Sequence, residues 1–220
     1  KTMKEVQKKM PASGDMLAIY EALDRVQAII EFELDGTVVS ANENFLRLFG
    51  YEVNEVVGHH HRMFCEPAYV ESDAYAAFWK KLGRGEFHAA EFKRLAKDGR
   101  EIWLQASYNP VLDSDGKPVR VVKFATDVTA SKLQIAEYEG KIRAIERAQA
   151  VIEFELDGTV ITANENFLDI FGYSLDEVVG KHHRIFCEPG YAESPEYARF
   201  WQKLGRGEYV ADEFKRVNRS

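Results

Sequence analysis

Apolar residues near the start of the chain follow two different spacings. From 15 to 26 they recur every three or four positions, which predicts an amphipathic helix. From 29 to 34 and again from 37 to 41 they alternate with polar residues, which predicts two half-buried strands. Asp35-Gly36 stands between these segments and is a common hairpin turn. The pattern therefore indicates a helix followed by a β-hairpin.

Helical and strand-like patterns then alternate up to position 150. Short helical segments end at Gly50 and Gly58, and a longer one over 72–85 carries its aromatic residues on one face. Asp- and Gly-rich turns separate three strand-like segments, at 87–95, 101–110 and 119–127. A helix is predicted at 130–150, with an apolar seam formed by Leu133, Ala136, Ile142, Ile145 and Ala148.

The pattern then begins again at Val151, without insertion or deletion. Cys65 and Cys187 are 122 residues apart, and so are Trp79 and Trp201. The stretch at 58–67 recurs at 180–189, and together the two copies hold five of the six histidines and both cysteines. A repeat of this regularity indicates two copies of one domain.

The repeat sets the domain boundaries. We predict an N-terminal helical cap at 1–25, a first domain at 26–129, a connecting helix at 130–147 and a second domain at 148–220. The second copy ends before the counterparts of its last two strands, and the chain begins with Lys1 rather than methionine. We therefore expect the chain to be part of a longer protein, with the missing strands present there or their place covered by another chain.

Composition narrows the class of protein. The 220 residues are 45% apolar and 30% charged, as in a globular protein, and no apolar run approaches the ~20 residues of a membrane span. The net charge of −7 argues against a nucleic-acid or membrane partner. Two cysteines in separate copies are poorly placed for a disulfide, which favours a reducing, cytoplasmic location.

Several short motifs resemble those of PAS domains. They are Asp35-Gly36-Thr37-Val38, Phe49-Gly50-Tyr51, Glu55-Val56-Val57-Gly58 and Asp127-Val128-Thr129, in the predicted order of strands and helices. The resemblance implies an α+β fold in which flanking short helices close a five-stranded antiparallel sheet over a small pocket. We expect two such domains in tandem, joined by a helix.

The repeated stretch narrows the resemblance further. Gly-x-His-His-Arg-x-Phe-Cys-Glu-Pro resembles the tandem PAS modules of cytoplasmic methyl-accepting chemotaxis proteins of the biofilm-dispersion and energy-taxis type. The resemblance implies a sensory input module that forms homodimers through its PAS domains and helices. It also implies a partnership with a chemotaxis kinase and adaptor array, through a region outside these residues. No catalytic motif is present, so we predict no enzymatic activity.

Histidines that follow the repeated glycine are the first candidate site residues. Imidazole is a good axial ligand for iron, so haem b bound through His60 or His61 is one interpretation. The equivalent residues of the second copy are His182 and His183. The other interpretation is structural: one histidine caps a helix, and Arg62 pairs with Glu66 or Glu55. A metal site in the triple histidine at 59–61 is not predicted, because Lys181 replaces His59 in the second copy.

Tryptophan and cysteine residues are the second set of candidates. Trp79 and Trp201 match a tryptophan of flavin-binding aerotaxis receptors, which makes FAD a second candidate cofactor. The asparagine that those receptors use in the next strand is Arg94 here, which weakens the flavin interpretation. A redox sensor using the thiols of Cys65 and Cys187 also stays open.

The Asp127-Val128-Thr129 motif is the candidate signal relay. It ends the last predicted strand and opens the following helix, so Asp127 and Thr129 can cap that helix and fix its angle to the sheet. Two alternatives to a sensor of this kind remain: a ligand-free dimerisation scaffold, and the regulatory input of a histidine kinase or cyclic-dinucleotide enzyme.

Overall fold

The structure is a computed structural model that describes residues 13–219. The first 12 residues of the predicted cap, and Ser220, lie outside this range. The described residues form two compact units, one ending at Gln134 and the other beginning at Ile135. We call them the first and the second unit.

The first unit contains the elements predicted by the apolar pattern. They are α1 Ser13–Asp24, β1 Ala28–Phe32, β2 Val38–Ala41, α2 Glu43–Phe49, α3 Val53–Val56, a 3₁₀ turn His61–Phe64, α4 Pro67–Val70, α5 Asp73–Leu82, β3 His88–Leu95, β4 Glu101–Leu112 and β5 Pro118–Asp127.

The five strands form one antiparallel sheet in the order β2-β1-β5-β4-β3. The five-stranded sheet implied by the resemblance is confirmed. One face of each strand is buried: along β4, Ile102, Leu104, Ala106 and Tyr108 point into the core, and the residues between them are more exposed. The short helices supply Phe45, Phe49, Phe64 and Phe78 to the same core. The interior is therefore a sheet face covered by aromatic side chains.

Asn42 joins three elements of the first unit. Its Oδ1 accepts hydrogen bonds from the backbone N–H of Phe45 and of Ile29, both at 2.9 Å. Its Nδ2 donates to the carbonyl oxygen of Gln27 at 2.9 Å. The side chain thus caps α2 and fixes the entrance to β1, and Asn164 makes the equivalent bonds in the second unit.

Helix α6, Thr129–Ala148, follows β5 and corresponds to the predicted connecting helix. None of its residues is buried within the chain. Its exposed apolar side chains include Leu133, Ile135, Ile142 and Ile145. Among the described residues, no helix is both long and apolar enough to cross a membrane.

The second unit repeats the first half of the fold. Its elements are β6 Ile152–Phe154, β7 Val160–Ala163, α7 Glu165–Phe171, α8 Leu175–Val178, a 3₁₀ turn His183–Phe186, α9 Pro189–Ala192 and α10 Pro195–Gly205. Strands β6 and β7 form a two-stranded sheet.

The segment from Glu208 to Arg219 corresponds to β3 but contains no strand. In the first unit, β3 lies at the edge of the sheet and pairs only with β4. The described residues of the second unit include no counterpart of β4, so this segment has no ladder to join. The predicted third strand of the second copy is therefore absent from this structure.

Candidate functional site

His60 fastens the β1–β2 hairpin to the helical side of the first unit. It forms a backbone bridge with Thr37, and its Nδ1 accepts a hydrogen bond from the backbone N–H of Arg62 at 3.1 Å. The rings of His60 and Trp79 lie so close to Gly36 that a Cβ there would come within 2.9 Å of both. Gly36 also has a φ of 93°, so only glycine suits this turn. His60 thus caps the 3₁₀ turn and holds the hairpin.

His61 lies in the centre of the core and is 1% exposed. Its Nδ1 is 3.0 Å from the hydroxyl of Tyr75, and its Nε2 is 3.0 Å from the hydroxyl of Tyr108. Burial lowers the pKa of His61 well below its ordinary value, and the charges of Arg94 and Lys123 lower it further. The ring is therefore neutral, with one nitrogen donating and the other accepting.

Two tyrosines complete this hydrogen-bonded network. Burial raises the pKa of Tyr75 and of Tyr108 to about 12, so both hydroxyls stay protonated at neutral pH. The hydroxyl of Tyr108 also accepts a hydrogen bond from Arg94 Nη2 at 3.2 Å. Both nitrogens of His61 and the hydroxyl of Tyr108 are satisfied when Tyr108 donates to His61 Nε2 and His61 Nδ1–H donates to Tyr75. The network links α5, the 3₁₀ turn, β3 and β4.

Two cations lie in the same core. Arg94 on β3 is 3% exposed and Lys123 on β5 is 2% exposed. The guanidinium of Arg94 is 4.9 Å from the centroid of the Phe92 ring, and Lys123 Nζ is 4.9 Å from that of Tyr108. Burial lowers the pKa of Lys123 well below its ordinary value, and Arg94 adds to this effect. Within residues 13–219, neither cation forms an ion pair with a carboxylate.

The cysteines are buried thiols. Cys65 Sγ lies 3.7 Å from His61 Nδ1, and Cys187 Sγ lies at the same distance from His183 Nδ1. Burial raises the pKa of both thiols. A protonated and buried thiol reacts slowly with oxidants, so this arrangement does not favour a thiol redox sensor.

The residues of the first unit do not fit haem as they are placed. Both ring nitrogens of His61 are engaged by tyrosines, and ligation of iron would break one of these hydrogen bonds. His60 Nδ1 is engaged in the cap, and its ring packs against Gly36. The rings of Phe32, Phe78 and Tyr108 fill the space around His61, so a porphyrin would have to displace the core itself.

Flavin binding through Trp79 meets the same obstacle. The Trp79 ring packs edge-on against Phe32 and His61, with centroids 5.7 and 5.4 Å away. Its Nε1 is buried without a hydrogen-bond partner, and Trp201 Nε1 in the second unit is in the same situation. Both tryptophans thus act as hairpin supports here, and neither presents a ring face to an open pocket.

The second unit repeats the local geometry with a less complete environment. His183 Nδ1 is 3.0 Å from the hydroxyl of Tyr197, as expected from the repeat. His182 caps its 3₁₀ turn through Nδ1, as His60 does. Burial lowers the pKa of His183 to about 4, with a further contribution from Arg216. A small cavity of about 120 Å³ next to His183 lies where Tyr108 packs in the first unit.

The end of β5 is joined to β4 and α6 by a group of short bonds. Thr129 Oγ1 donates to Asp127 Oδ1 at 2.6 Å and accepts from the backbone N–H of Trp103 at 2.9 Å. The N–H of Val128 donates to the carbonyl oxygen of Trp103 at 2.8 Å. Lys132 lies over the Trp103 ring and pairs with Glu91 of β3. We call Asp127, Val128, Thr129 and Trp103 the clasp.

The predicted pairing of Arg62 with Glu66 or Glu55 is wrong. Glu66 pairs with Lys93 at 2.7 Å, and Glu55 pairs with Lys97. Lys93 lies on β3 and Lys97 just after it. The two glutamates of the helical side therefore pair with lysines from the sheet side and not with Arg62 of their own segment. Among the described residues, no group of three His, Cys, Asp or Glu side chains is arranged to hold a metal ion.

Sequence reasoning missed the two buried cations as site residues. Arg94 lies two positions after the buried Phe92, and Lys123 lies between the buried Val121 and Ala125. Alternation along the predicted strands places both on the inward face. A charged residue at an inward position of a strand was the signal that could have identified them.

Comparison with known families agrees with this geometry. A family model described as "PAS fold" matches residues 38–125, and one described as "PAS domain" matches residues 149–218. The chain therefore carries two tandem PAS domains and belongs to the PAS family, as its motifs and its five-stranded sheet indicated.

The chain is also similar to a biofilm dispersion protein and to a light-activated histidine kinase. It is 48% identical to the biofilm dispersion protein BdlA of Pseudomonas aeruginosa over 199 residues, which are 90% of this chain and 48% of that protein. It is 27% identical to the blue-light-activated histidine kinase of Brucella ovis, over 68% of this chain and 33% of the kinase. The chain thus spans half or less of the length of these relatives.

Solved structures with a similar fold include light-oxygen-voltage domains. One from a study of a flavin analogue is 26% identical with a TM-score of 0.44, and covers 56% of this chain and 96% of that domain. The light-state structure of the aureochrome 1 domain is 22% identical with a TM-score of 0.43, over 55% of this chain and 97% of that domain.

Proposed function

We propose that this chain is the non-catalytic sensory input region of a chemotaxis-type receptor, lying in the cytoplasm. In this proposal the first PAS domain reads the signal in its core, and α6 carries the signal onward. The observation that carries the proposal is the clasp: Thr129 binds both Asp127 and the backbone of Trp103. A change in the position of β4 or β5 then alters the direction in which α6 leaves the sheet.

The core network reaches the clasp through β4. Tyr108, which binds His61 and Arg94, lies on β4 five residues after Trp103. A β-strand is a stiff element, so a shift at Tyr108 is transmitted along β4 rather than absorbed locally. We assign His61 and Tyr108 to signal reading, and Asp127 and Thr129 to relay. His183, with Tyr197 as its partner, is the corresponding candidate in the second domain.

A second copy of the chain is the proposed partner for α6. Ile135, Tyr138, Ile142 and Ile145 are exposed and follow one another at spacings of three, four and three residues. This is the a/d spacing of a coiled coil, whose seam is covered by an identical helix in a homodimer. Two α6 helices side by side convert a change of angle at each clasp into a change of their packing.

The similarity to BdlA supports the choice of output. With 48% identity over 90% of this chain, the two proteins share the input region rather than a single motif. We propose that the signal reaches a chemotaxis kinase and adaptor array through a region outside these residues. The similarity to a histidine kinase is weaker, at 27% identity over 68% of the chain. We therefore treat the regulatory input of such an enzyme as the second candidate function.

A ligand-free dimerisation scaffold is favoured by one observation, the filling of the first core by aromatic rings. In that case the domain would only hold the α6 helices together. The proposals differ in their requirement for the clasp, because a scaffold needs the helix seam but no connection from Tyr108 to α6.

A chimeric receptor tests the proposal. The segment of BdlA that aligns with this chain is replaced by residues 1–220, and biofilm dispersal is measured in a Pseudomonas strain that lacks its own copy. We expect the chimera to restore dispersal, and its Thr129→Val variant to lose the response at equal protein level. Asp169→Asn, an exposed change in the second domain, is the control and should respond normally.

Failure of the unmodified chimera, present at normal level, would contradict the receptor assignment. An equal response of the Thr129→Val chimera would contradict the relay and favour the scaffold.

A further inference from the structure

The core of the first domain holds a buried guanidinium and a buried amine that form no ion pair with a carboxylate. Arg94 is 3% exposed and Lys123 is 2% exposed, and both contact Tyr108, one at its hydroxyl and the other at its ring face. Within the described residues, the 12 ion pairs include neither of them. The histidine between them is neutral, because its pKa is lowered well below the ordinary value. Arg94 is therefore a buried positive charge without a negative partner, whereas burial and Arg94 lower the pKa of Lys123 and favour its neutral amine.

Proteins rarely bury a charge without a partner, because the charge loses its hydration in an apolar interior. Ring faces offset part of this cost: Lys123 lies over Tyr108 and Phe45, and Arg94 lies over Phe92 and Tyr69. The rings supply no negative charge of their own. An anion bound between them would explain why a guanidinium and an amine are buried together more directly than a purely structural role does.

Arg94 also keeps one donor unused. Its Nη1 donates to the carbonyl oxygen of Lys93, and its Nη2 donates to Tyr108, but its Nε is buried and has no hydrogen-bond partner. Nε–H and one Nη2–H point in the same direction along an edge of the guanidinium group, which is the edge that binds a carboxylate with two parallel bonds. This edge of Arg94 is therefore suited to binding a planar anion such as a carboxylate.

A surface groove leads to this position. It has a volume of about 270 Å³ and lies between the start of α4 and β3, lined by Glu66, Tyr69, Glu91, Phe92, Lys93 and Arg94. The two glutamates are already paired, Glu66 with Lys93 and Glu91 with Lys132. Tyr69, which is half-buried, lines the groove together with Arg94, and its ring centroid lies 5.7 Å from the guanidinium.

We propose that this groove and the two buried cations form a binding site for a small organic carboxylate. The carboxylate binds the Nε and Nη2 edge of Arg94, which balances its charge, and its negative charge in turn favours the protonated form of Lys123. This proposal rests on the proposed sensory function, and it names a small carboxylate as the signal. Binding at Arg94 displaces the hydrogen bond to Tyr108. Strand β4 then carries that change to the clasp. The groove and the filled core limit the ligand to a compact molecule.

The second domain provides a natural control. Arg216 corresponds to Arg94 and also lies over two rings, those of Phe214 and Tyr191. It is half-exposed, so water solvates its charge, and Asp212 stands beside it where the first domain has Ala90. Because water solvates its charge, Arg216 serves as the control for the buried Arg94.

Binding to the purified chain tests the proposal. Sodium acetate, propionate, pyruvate and benzoate are compared with sodium chloride at equal ionic strength, with acetamide and with inorganic phosphate. Binding is measured by calorimetry and by the shift of the Tm. We expect at least one carboxylate to raise the Tm in a saturable way, and acetamide to have no effect.

Three variants locate the site. Lys123→Met replaces a buried amine by an apolar side chain, so it should raise the Tm without ligand and weaken carboxylate binding at least tenfold. Arg94→Gln should abolish binding, and Arg216→Gln should bind like the unmodified chain. Because the Lys123 variant is expected to be more stable, its test does not depend on a fold weakened by the substitution.

The proposal is overturned if no carboxylate binds in a saturable way, if phosphate binds in preference to every carboxylate, or if the Arg94 and Lys123 variants bind normally. These measurements use the isolated chain and are independent of the dispersal response. Binding without a response of the chimera would count against the receptor assignment, whereas a response without binding would count against the carboxylate site.

Discussion

His61 and His183 have the same neighbours in sequence and different surroundings in space. Each follows a capping histidine, opens a 3₁₀ turn and binds the tyrosine 14 positions later at 3.0 Å. Within residues 13–219, Tyr108 binds Nε2 of His61 and no equivalent tyrosine binds His183, and His61 is 1% exposed where His183 is 6% exposed. The turn is thus encoded locally, but the electrostatic environment comes from strands β4 and β5.

The two equivalent arginines teach the same lesson. Arg94 is enclosed by the sheet and binds Tyr108, whereas Arg216 is half-exposed. The short motif around them is nearly identical in the two copies. The same arginine of the motif is therefore buried where β4 and β5 cover it, and half-exposed where the described residues include no such strands.

The largest expected difference in stability between the two units is that between the variants Phe49→Ala and Phe171→Ala. Phe49 is fully buried and Phe171 is half-buried in the equivalent helix. We expect Phe49→Ala to lower the free energy of unfolding by about 3–5 kcal/mol, and Phe171→Ala to cost less than half of that. Urea unfolding with hydrogen exchange resolved by unit measures both. Equal costs would show that the second core is as complete as the first.

The pH dependence of stability separates the two histidines. The pKa of each is lower in the folded chain than the ordinary 6.5, so the unfolded chain takes up the proton first and stability falls as the pH drops below 6.5. For His183 the loss ends near pH 4, and for His61 it continues to lower pH. Arg94, Lys123 and His60 contribute to the shift of His61.

Thermal unfolding between pH 7 and pH 3 checks this prediction. His61→Gln should remove more of the loss on acidification than His183→Gln does. An equal effect of the two variants would mean that the extra burial of His61 has no electrostatic consequence.

Lys123→Met tests the buried charge in the first unit without a ligand. Since the variant replaces a buried polar amine, whose pKa burial lowers, by an apolar side chain of similar length, we expect the free energy of unfolding to rise by about 1–3 kcal/mol at pH 7. Arg216→Met, the half-exposed cation of the second unit, should change it by less than about 0.5 kcal/mol. A marked loss of stability in Lys123→Met would indicate that the contacts of the Lys123 amine stabilise the fold by more than its burial costs.

Thr129→Val tests the clasp, which only the first unit has among the described residues. The variant loses two hydrogen bonds and leaves the N–H of Trp103 without its acceptor, so we expect a local cost of about 1–2 kcal/mol. Hydrogen exchange should speed up in the first turns of α6 and stay unchanged around His183. Faster exchange across the whole first unit would mean that Thr129 supports the core rather than the helix junction.

His59→Lys is the smallest expected effect. It copies Lys181 of the second unit into an exposed position of the first. We expect a change below about 0.5 kcal/mol and no change in carboxylate binding. A larger change in stability or in binding would show that His59 has a role, although its side chain is exposed.

Local signals predicted the elements of the fold well. Asp35-Gly36 forms the hairpin turn, and Gly50 ends α2 with a φ of 75°. The third strand of the second copy was the exception, because an edge strand depends on a partner that its own residues do not supply. Short-range chemistry thus fixes turns and caps, and strand pairing depends on more distant residues.

The candidate site was harder to predict. His61 was one of the predicted site residues, but its partner Tyr108 lies 47 positions away, and the sequence suggests no link between them. Arg94 was noticed only as a departure from a flavin-binding pattern. Haem ligation stays a prediction that this arrangement does not favour, since both nitrogens of His61 are engaged.

A double-mutant cycle between Tyr108→Phe and Thr129→Val, read by hydrogen exchange in α6, tests the relay most directly. Tyr197→Phe in the second unit is the control. If β4 connects the core to the clasp, Tyr108→Phe alone changes exchange in the first turns of α6, and the two substitutions couple by at least about 0.5 kcal/mol. Tyr197→Phe should leave those turns unchanged. Independent effects, or no change in α6 from Tyr108→Phe, would contradict a signal path from the core to the helix.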